Sequence, residues 1–388
     1  MSSAQSFLDN FIAPRWLVLG YLVLLTGLFW VATGSLYTKL YYGLMATPAL
    51  IGLIIAPRNL AMILREPMVL TFLAFSAWLL LSLTWTRTDN DLIGLAKRPL
   101  YVFMMFAACA LIACKDEQLL LKALRIGAAL AALASLVNLA LYFATPPAEG
   151  RMIGTGGLRN PLLTSHVFGF FCAYWIAAWL TRSERHEWLP VLLSLPLLAA
   201  LLATGSRTPL LALGLTSVWM LVMTGRRALY LVAALVLVTG IGIVLMPEAL
   251  LQRGASSRPQ LWSEAIRQAG DHLWFGHGYD SKFTFEVGGV IEVLSDPHNV
   301  ELAVLLELGL VGLVLWLLMY SLAFLRCLQL RYDSKFQLAS ALVVYGLSAG
   351  LTEGSSFLSR PNENWFIIWI PLSLVAALSI SQRLQSKP

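Results

Sequence analysis

The stretch "GLVGLVLWLLMYSLAFLRC", Gly309–Cys327, contains 19 residues and a single charged side chain, Arg326, near its end. A helix needs roughly 20 mainly apolar residues to cross the core of a bilayer, so this run is long enough to span a membrane. The whole chain is similar: of 388 residues, 58% are hydrophobic and 12% are charged, with a mean hydropathy of +0.74. Since soluble domains carry about 25% charged residues, the composition indicates a polytopic membrane protein.

Twelve apolar runs predict an all-α fold with about twelve transmembrane helices in one integral membrane domain, residues 1–388. The predicted spans are 15–34, 38–56, 67–85, 96–114, 122–144, 162–181, 188–204, 208–224, 228–246, 309–327, 336–355 and 364–382. Their centres contain almost no charge. This disfavours a transporter, because transporters place ionisable residues near the bilayer midplane.

The distribution of basic residues predicts the orientation. Short loops on the side of the N-terminus carry more Lys and Arg than the short loops opposite, so we expect both termini in the cytoplasm. One long outer loop, residues 247–308, then lies between the ninth and tenth spans. The net charge of +6 does not indicate nucleic-acid binding, because the basic residues are scattered and form no basic face.

The long outer loop contains a helix start, with Ser256 or Ser257 as the cap and Pro259 in the first turn. Apolar residues then recur at steps of three and four: Leu261, Trp262, Ala265, Ile266 and Ala269. This pattern predicts an amphipathic helix against the membrane surface. The segment "GGVIEVL" further on is either a short strand or a packed loop.

The segment "SDPHN", Ser295–Asn299, lies where this loop returns to an apolar run. Asp followed by Pro is typical of a helix start, which predicts Asp296 as the cap and Pro297 as the first helical residue. His298 would then lie at the positive end of the helix dipole, which disfavours its protonated form. A neutral imidazole is what a general base requires. The alternative is that the ring only satisfies the end of the loop.

Arginines in the predicted outer loops suggest the substrate; they are Arg151, Arg159, Arg207, Arg258 and Arg360. Arginine suits bidentate phosphate recognition in a partly desolvated site. Together with His298 they suggest a polyprenyl diphosphate head group, attacked by a hydroxyl that His298 deprotonates. The alternative is that single arginines snorkel or cap helix ends. For Arg159 and Arg360 the two interpretations are equally supported.

Metal and redox chemistry have little support in the sequence. The segment "TDND", Thr88–Asp91, contains an Asp-x-Asp pair, but no third carboxylate or His follows it at ligand spacing. A solvated turn is the better interpretation. The four cysteines form no CxxC pair. We therefore expect no metal and no cofactor.

Three segments, in this order, resemble the signature region of the bacterial O-antigen ligase and polymerase family: "TGSRTPLLAL", "RPQLWSEAIRQAGDHLWFGHGYD" and "PHNVELAVLLELGLVG". The shared features are a Ser-Arg pair opening a span, an Arg-x3-Trp helix running to a Gly-x-Gly turn, and His-Asn followed by Glu-x-Gly-x2-Gly. The matching residues here are Ser206, Arg207, Arg258, Trp262, Gly276, Gly278, His298, Asn299, Glu307, Gly309 and Gly312.

The resemblance implies a GT-C-like glycosyltransferase of lipopolysaccharide biosynthesis, acting on the periplasmic side of the bacterial inner membrane without metal or nucleotide sugar. The donor would be O-antigen polysaccharide on undecaprenyl diphosphate, and the acceptor a hydroxyl of the lipid A–core oligosaccharide. The reaction would invert the configuration at the anomeric carbon, with His298 as the general base. The resemblance assigns the diphosphate to Arg207 and Arg258, and the outer-loop positions of Arg151, Arg159 and Arg360 make them further candidates. The supporting residues would be Ser206, Asn299, Trp262 and Asp296.

The signature does not separate ligases from polymerases. One dominant outer loop and twelve spans favour a ligase, because polymerases often have two large outer loops. A flippase or transporter of lipid-linked sugars is a third alternative.

Overall fold

The computed structural model describes residues 3–148, 150–182, 186, 188–245, 258–286, 295–354 and 356–385. The elements formed by these residues are helices, and none of them is a β-strand. In chain order they are α1 Gln5–Phe29, α2 Gly34–Ile55, α3 Pro57–Ile63, α4 Pro67–Ser82, α5 Leu92–Ala96, α6 Arg98–Ala144, α7 Pro161–Leu180, α8 Trp188–Thr204, α9 Thr208–Thr224, α10 Arg226–Leu245, α11 Arg258–Asp271, α12 Val300–Gln329, α13 Ser334–Gly350, α14 Asn364–Ile367 and α15 Trp369–Gln385.

Several of the described helices could cross a membrane by length and composition. Five helical segments qualify, namely α1, α2, α5 together with α6, α7 and α12. The pair α3 and α4, bent by 88°, adds a sixth if it forms one span, and α8 and α9 are shorter apolar helices. The predicted all-helical, multi-pass membrane protein is therefore confirmed, while the number of twelve spans stays a prediction.

Helix α6 contains two predicted spans, separated by a break in the helix at Asp116. Its 47 residues would extend about 70 Å at 1.5 Å per residue, more than twice the roughly 30 Å hydrocarbon core. The backbone of Asp116 is non-helical, with φ −163° and ψ 111°. Its carboxylate accepts a hydrogen bond from the Gln118 amide at 2.9 Å, as a new helix cap would. This break falls between the predicted spans 96–114 and 122–144.

Helix α12 begins at Val300, well before the predicted span start at Gly309, and Gly309 itself interrupts it with φ 66° and ψ −168°. The Gly-x-Gly turn is bonded into this break: the His277 amide donates to the Leu306 carbonyl, and the Gly278 amide to the Glu307 carbonyl. Gly309 therefore does not lie on the face of a continuous helix. It interrupts α12, and the Gly-x-Gly turn packs against this interruption.

Gly309→Ala is expected to lower the free energy of unfolding by about 1–3 kcal/mol, because the added methyl overpacks the break. A Cβ at Gly309 would lie 2.4 Å from the Trp274 carbonyl oxygen, and the φ of 66° is unfavourable for alanine. The thermal unfolding midpoint in detergent measures the effect. Gly214→Ala is the matched control, since a Cβ there meets nothing within 4 Å. Equal midpoints for the two variants would refute a tight approach at Gly309.

The amphipathic helix predicted in the long loop is present as α11, with Pro259 in its first turn. Its predicted cap, Ser256 or Ser257, and the "GGVIEVL" segment lie outside the described residues. The apolar face of α11 packs against protein, because Leu261, Ala265 and Ala269 form a small core with Phe285 and Leu306. The helix therefore docks onto the first part of α12.

Helix α13 runs antiparallel to α7 and α9, which brings distant residues to one end of the bundle. Gln337 at the start of α13 donates to the Met223 carbonyl at the end of α9, at 2.9 Å. Tyr345, late in α13, donates to the carbonyl of His166, early in α7, at 3.2 Å. The starts of α7 and α9 and the end of α13 therefore share one end, which we call the site end.

Candidate functional site

His298 lies directly before α12, and the residue after it caps the helix. The Asn299 side chain accepts a hydrogen bond from the Leu302 amide at 2.9 Å and donates one to the Leu351 carbonyl at 2.8 Å. The prediction that Asp296 caps the helix and Pro297 begins it is wrong. The Asp296 carboxylate instead accepts from the His298 amide at 2.6 Å, closing a turn across Pro297.

The backbone of His298 is held in an uncommon conformation. Its φ is 48°, in the left-handed region that costs a non-glycine residue of order 1 kcal/mol. The turn is fixed on both sides by Asp296 and Asn299. Trp262 of α11 also donates to the Pro297 carbonyl at 3.1 Å. These contacts stabilise the strained turn and tie α11 to it.

Glu353, just beyond α13, joins His298 to Arg258. Its Oε1 lies 3.1 Å from His298 Nδ1, and its Oε2 accepts from Arg258 Nη2 at 2.8 Å. The Glu353 side chain is only 7% exposed. A buried carboxylate needs such partners, since an unpaired charge in this position would be strongly destabilising. We call Arg258, His298 and Glu353 the central triad.

The environment sets the protonation of the central triad. The contact with Glu353 raises the pKa of His298, and it outweighs burial and the charge of Arg258, which lower it. Burial acts to raise the pKa of Glu353, but His298 and Arg258 outweigh it and lower that pKa. The expectation that the helix dipole lowers the pKa of His298 is therefore wrong in direction. A carboxylate in contact with the ring is the stronger influence.

The two ring nitrogens of His298 differ in access. Nδ1 is buried against Glu353, whereas 35% of the side chain remains exposed. Within the part of the chain that the structure describes, no group is hydrogen-bonded to Nε2. A neutral imidazole with its proton on Nδ1, facing Glu353, presents the Nε2 lone pair outward. His298 can therefore accept a proton at Nε2, and Glu353 can stabilise the imidazolium that results.

Glu353→Gln is expected to lower the pKa of His298, because the carboxylate that favours the charged ring is lost while burial and Arg258 remain. Asp296 keeps some opposing influence on the ring. NMR titration of ¹³C-labelled histidines in detergent measures the pKa, and His298→Gln identifies the resonance. Glu264→Gln is the matched control, since Glu264 pairs with Arg267 on the exposed side of α11. An unchanged pKa in Glu353→Gln would contradict the assigned contact.

Two further polar side chains are buried at the site end. His166 in α7 is 1% exposed and interacts electrostatically with Glu353 and Arg258. Neither of its ring nitrogens has a hydrogen-bond partner among the described residues, and the same holds for the Ser206 hydroxyl. Buried polar groups without partners are uncommon and often mark places where a ligand or water binds.

The other predicted arginines also lie at the site end, outside the central triad. Arg151 donates to the Thr204 carbonyl at 2.9 Å, beside the turn that carries Ser206 and the exposed Arg207. Arg159 donates to the Ala32 carbonyl at 2.8 Å. Arg360 is exposed and lines a separate cavity. Among the contacts of the described residues, only Arg258 of the five arginines touches His298 or Glu353.

Glu353 and His166 were not predicted as site residues from the sequence. Glu353 has a usable signal: it is an acidic residue near the outer end of the predicted span 336–355, on the same predicted side as His298. His166 lies inside the predicted span 162–181, directly after Thr164 and Ser165 and far from any charged residue in sequence, so its position near Glu353 follows only from the packing of α7 on α13.

The "TDND" segment forms a turn. Thr88 and Asn90 donate to the Asp280 carboxylate, each at 2.7 Å. Asp91 caps α5 by accepting from the Gly94 amide at 2.9 Å. Among the described residues, no three His, Cys, Asp or Glu side chains are grouped to hold a metal ion.

Comparison with known proteins identifies the family. The family model described as O-antigen ligase matches residues 191–317, which include Arg207, Arg258 and His298. An O-antigen ligase of Pseudomonas aeruginosa is 44% identical over 376 residues, covering 96% of this chain and 93% of the relative. Similarity at this level extends over nearly all of both chains. The chain therefore belongs to the O-antigen ligase family.

Proposed function

We propose that the protein is a ligase that transfers O-antigen polysaccharide from undecaprenyl diphosphate to a hydroxyl of the lipid A–core oligosaccharide. The observation that carries the proposal is the central triad, in which a histidine, a buried carboxylate and an arginine meet at one end of a membrane helix bundle. Membership of the O-antigen ligase family supports the substrate class.

His298 is the general base in this proposal. Nε2 takes the proton of the acceptor hydroxyl while the hydroxyl oxygen attacks the anomeric carbon of the donor sugar. Glu353 stabilises the imidazolium that forms, and it keeps Nδ1 protonated so that Nε2 is the basic nitrogen. Attack by one activated hydroxyl, opposite to the leaving group, inverts the configuration at the anomeric carbon.

Arg258 stabilises the leaving group. As the bond between sugar and diphosphate breaks, negative charge grows on the diphosphate oxygens, and a guanidinium in a partly buried site stabilises it. A guanidinium has five N–H donors in different directions, so it can bind a carboxylate and a phosphate oxygen together. We assign Arg207 and Arg151 to the same head group, since both lie at the turn between α8 and α9 at the site end. This mechanism uses no metal ion and no nucleotide sugar.

The proposed topology places the site end in the periplasm, with both chain termini in the cytoplasm of a multi-pass inner-membrane protein of twelve GT-C-like spans. Basic residues at the opposite end of the bundle support this orientation, because cytoplasmic loops carry an excess of Lys and Arg. Those residues lie where α7, α9 and α12 end and where α10 begins; they are Arg182, Arg226, Arg227 and Arg331.

The ligase is tested with the purified full-length protein in vesicles that contain lipid-linked O-antigen as donor. With lipid A–core added, we expect glycan on lipid A–core, unchanged by EDTA. Without it, we expect no new glycosidic bond. Lengthening of the donor glycan in the absence of lipid A–core would identify a polymerase of the same family instead. Movement of the donor across the bilayer without any bond formation would identify a transporter.

A further inference from the structure

A second polar network lies at the site end, centred on Asp280. Its carboxylate accepts hydrogen bonds from Thr88 and Asn90, and it pairs with Arg98 at 3.3 Å. Its amide donates to the Glu307 carboxylate at 2.6 Å. The φ of Asp280 is 65°, a conformation that persists in a non-glycine residue when the surroundings fix it. The network therefore holds the "TDND" turn, the start of α6 and the Gly-x-Gly turn in one arrangement.

Two cavities open on this network, one of about 520 Å³ and one of about 680 Å³. They share four lining residues, Asn90, Arg98, Asp280 and Ser356. Ligand sites in proteins commonly enclose roughly 300–1,000 Å³, so each cavity has room for a sugar residue or more. Neither cavity is lined by a member of the central triad.

The smaller cavity borders the turn that carries His298. It is lined by Ser295, which lies beside the Asp296 turn that holds the histidine backbone, and by Glu307 of α12. The larger cavity extends away from this point and is lined by Arg360. A ligand in the two cavities would therefore approach the reacting groups with one end and extend outward with the other.

The charges around the cavities do not suit a diphosphate. The lining holds the basic side chains of Arg98, Lys282 and Arg360 and the carboxylates of Asp91 and Asp280, and Lys282 is paired with Asp89. A diphosphate needs an excess of positive charge, whereas here Arg98 is already paired with Asp280. The remaining lining is rich in hydroxyl and amide groups, contributed by Asn90, Ser281, Thr284, Ser295, Ser356, Ser359 and Asn362.

This lining fits a ligand with many hydroxyl groups. A sugar hydroxyl both donates and accepts, so it can bind a carboxylate, a guanidinium, an amide or a serine without any net charge. Arg98 is preorganised for such contacts, since it also donates to the Tyr279 hydroxyl at 2.8 Å. Phe283, which is half-buried, adds aromatic surface to the smaller cavity, against which the apolar face of a sugar ring can pack, whereas Tyr279 and Phe357 are buried behind the lining.

We infer that the two cavities form one saccharide-binding subsite, which holds the sugar residues next to the reacting hydroxyl or next to the reacting anomeric carbon. This inference rests on the proposed function, because it takes its ligand to be one of the two glycans that the ligase joins. The subsite is separate from the central triad and sets the affinity for a glycan, leaving the chemical step to the triad.

Ser356→Trp tests the subsite, because Ser356 lines both cavities and is exposed, so an indole there fills space that a sugar would occupy. We expect the KM for one glycan substrate to rise by about tenfold or more, with kcat changed by less than about threefold at saturation. Thr284→Trp, in the smaller cavity, is the second variant if Ser356→Trp does not fold. Thr145→Trp is the matched control, since Thr145 is exposed beyond the end of α6 and lines neither cavity.

The readouts distinguish the two glycans and keep the inference separate from the proposed function. A raised KM for lipid A–core, with loss of binding of the deacylated core oligosaccharide in saturation-transfer NMR, assigns the subsite to the acceptor. A raised KM for the lipid-linked donor, increasing with glycan length, assigns it to the donor. Unchanged KM values for both glycans in the tryptophan variants, with an active wild type, overturn the subsite and leave the proposed ligase function unaffected.

If the wild type transfers no glycan, the proposed ligase function is wrong. The NMR experiment then decides the subsite alone, since binding of the core oligosaccharide or of free O-antigen that Ser356→Trp abolishes supports it, and absence of such binding overturns it.

Discussion

His298→Ala is expected to lower the kcat of glycan transfer by about 10²–10⁴-fold, the range that a positioned general base contributes. The variant removes the nitrogen that takes the acceptor proton, and it leaves Glu353 and Arg258 paired with each other. Donor binding should change little, because Arg258 remains in place. The measurement is the initial rate of transfer in vesicles, with both glycans at saturation.

The matched control for this variant is His186→Ala, since His186 is exposed on the segment between α7 and α8, at the opposite end from the site. Its rate should equal that of the wild type. The pH dependence adds a second check. A base must be neutral, so kcat/KM should fall as the pH decreases through the raised pKa of His298. Wild-type rates in a folded His298→Ala protein would remove His298 from the mechanism.

Arg258→Gln is expected to lower kcat/KM for the lipid-linked donor by about 10²–10³-fold, as for the loss of one preorganised donor to a developing negative charge. The glutamine keeps a polar side chain but removes the positive charge that faces Glu353 and the diphosphate. Because the Arg258 charge opposes protonation of His298, the variant should also raise the pKa of the base. The rates must therefore be compared above the acidic limb of the pH profile.

A second arginine on the same helix serves as the control. Arg267 in α11 is 66% exposed and pairs with Glu264, away from His298. Arg267→Gln should leave kcat/KM within about twofold of the wild type, as expected for a surface ion pair of little energetic weight. If both glutamine variants lost the same activity, the effect would come from α11 as a whole, and the role of Arg258 at the leaving group would fail.

The membrane fold could be predicted because the hydropathy of a segment depends only on the residues of that segment. Each predicted span overlaps a described helix, and α8 and α9 have the predicted bounds, 188–204 and 208–224. Helix ends inside polar loops were less predictable. Both Asp296 and Asn299 can cap a helix, and Asn299, which does so, also donates to the Leu351 carbonyl. That partner is 52 residues away in sequence, so no local pattern indicates it.

The site was predictable only in part, for the same reason. The sequence indicated His298 and Arg258 by residue type and by the family signature, but not the carboxylate between them. Because Glu353 was not predicted, the pKa of His298 was inferred from the helix dipole, which predicts a lowered pKa, whereas the pKa is raised. The direction changes because a charge in contact with the ring outweighs partial charges at a helix end.

The break in α12 also bears on how substrates enter. The carbonyls of Leu306, Glu307 and Leu308 accept from His277, Gly278 and the Trp78 indole. Moving the Gly-x-Gly turn away from α12 would leave the Leu306 and Glu307 carbonyls without hydrogen-bond partners. Each unpaired carbonyl costs several kcal/mol where water is excluded. The turn is therefore a fixed wall of the site and not a hinged lid. Under the proposed function, the lipid-linked donor would then enter from the side, with its isoprenoid tail still in the bilayer.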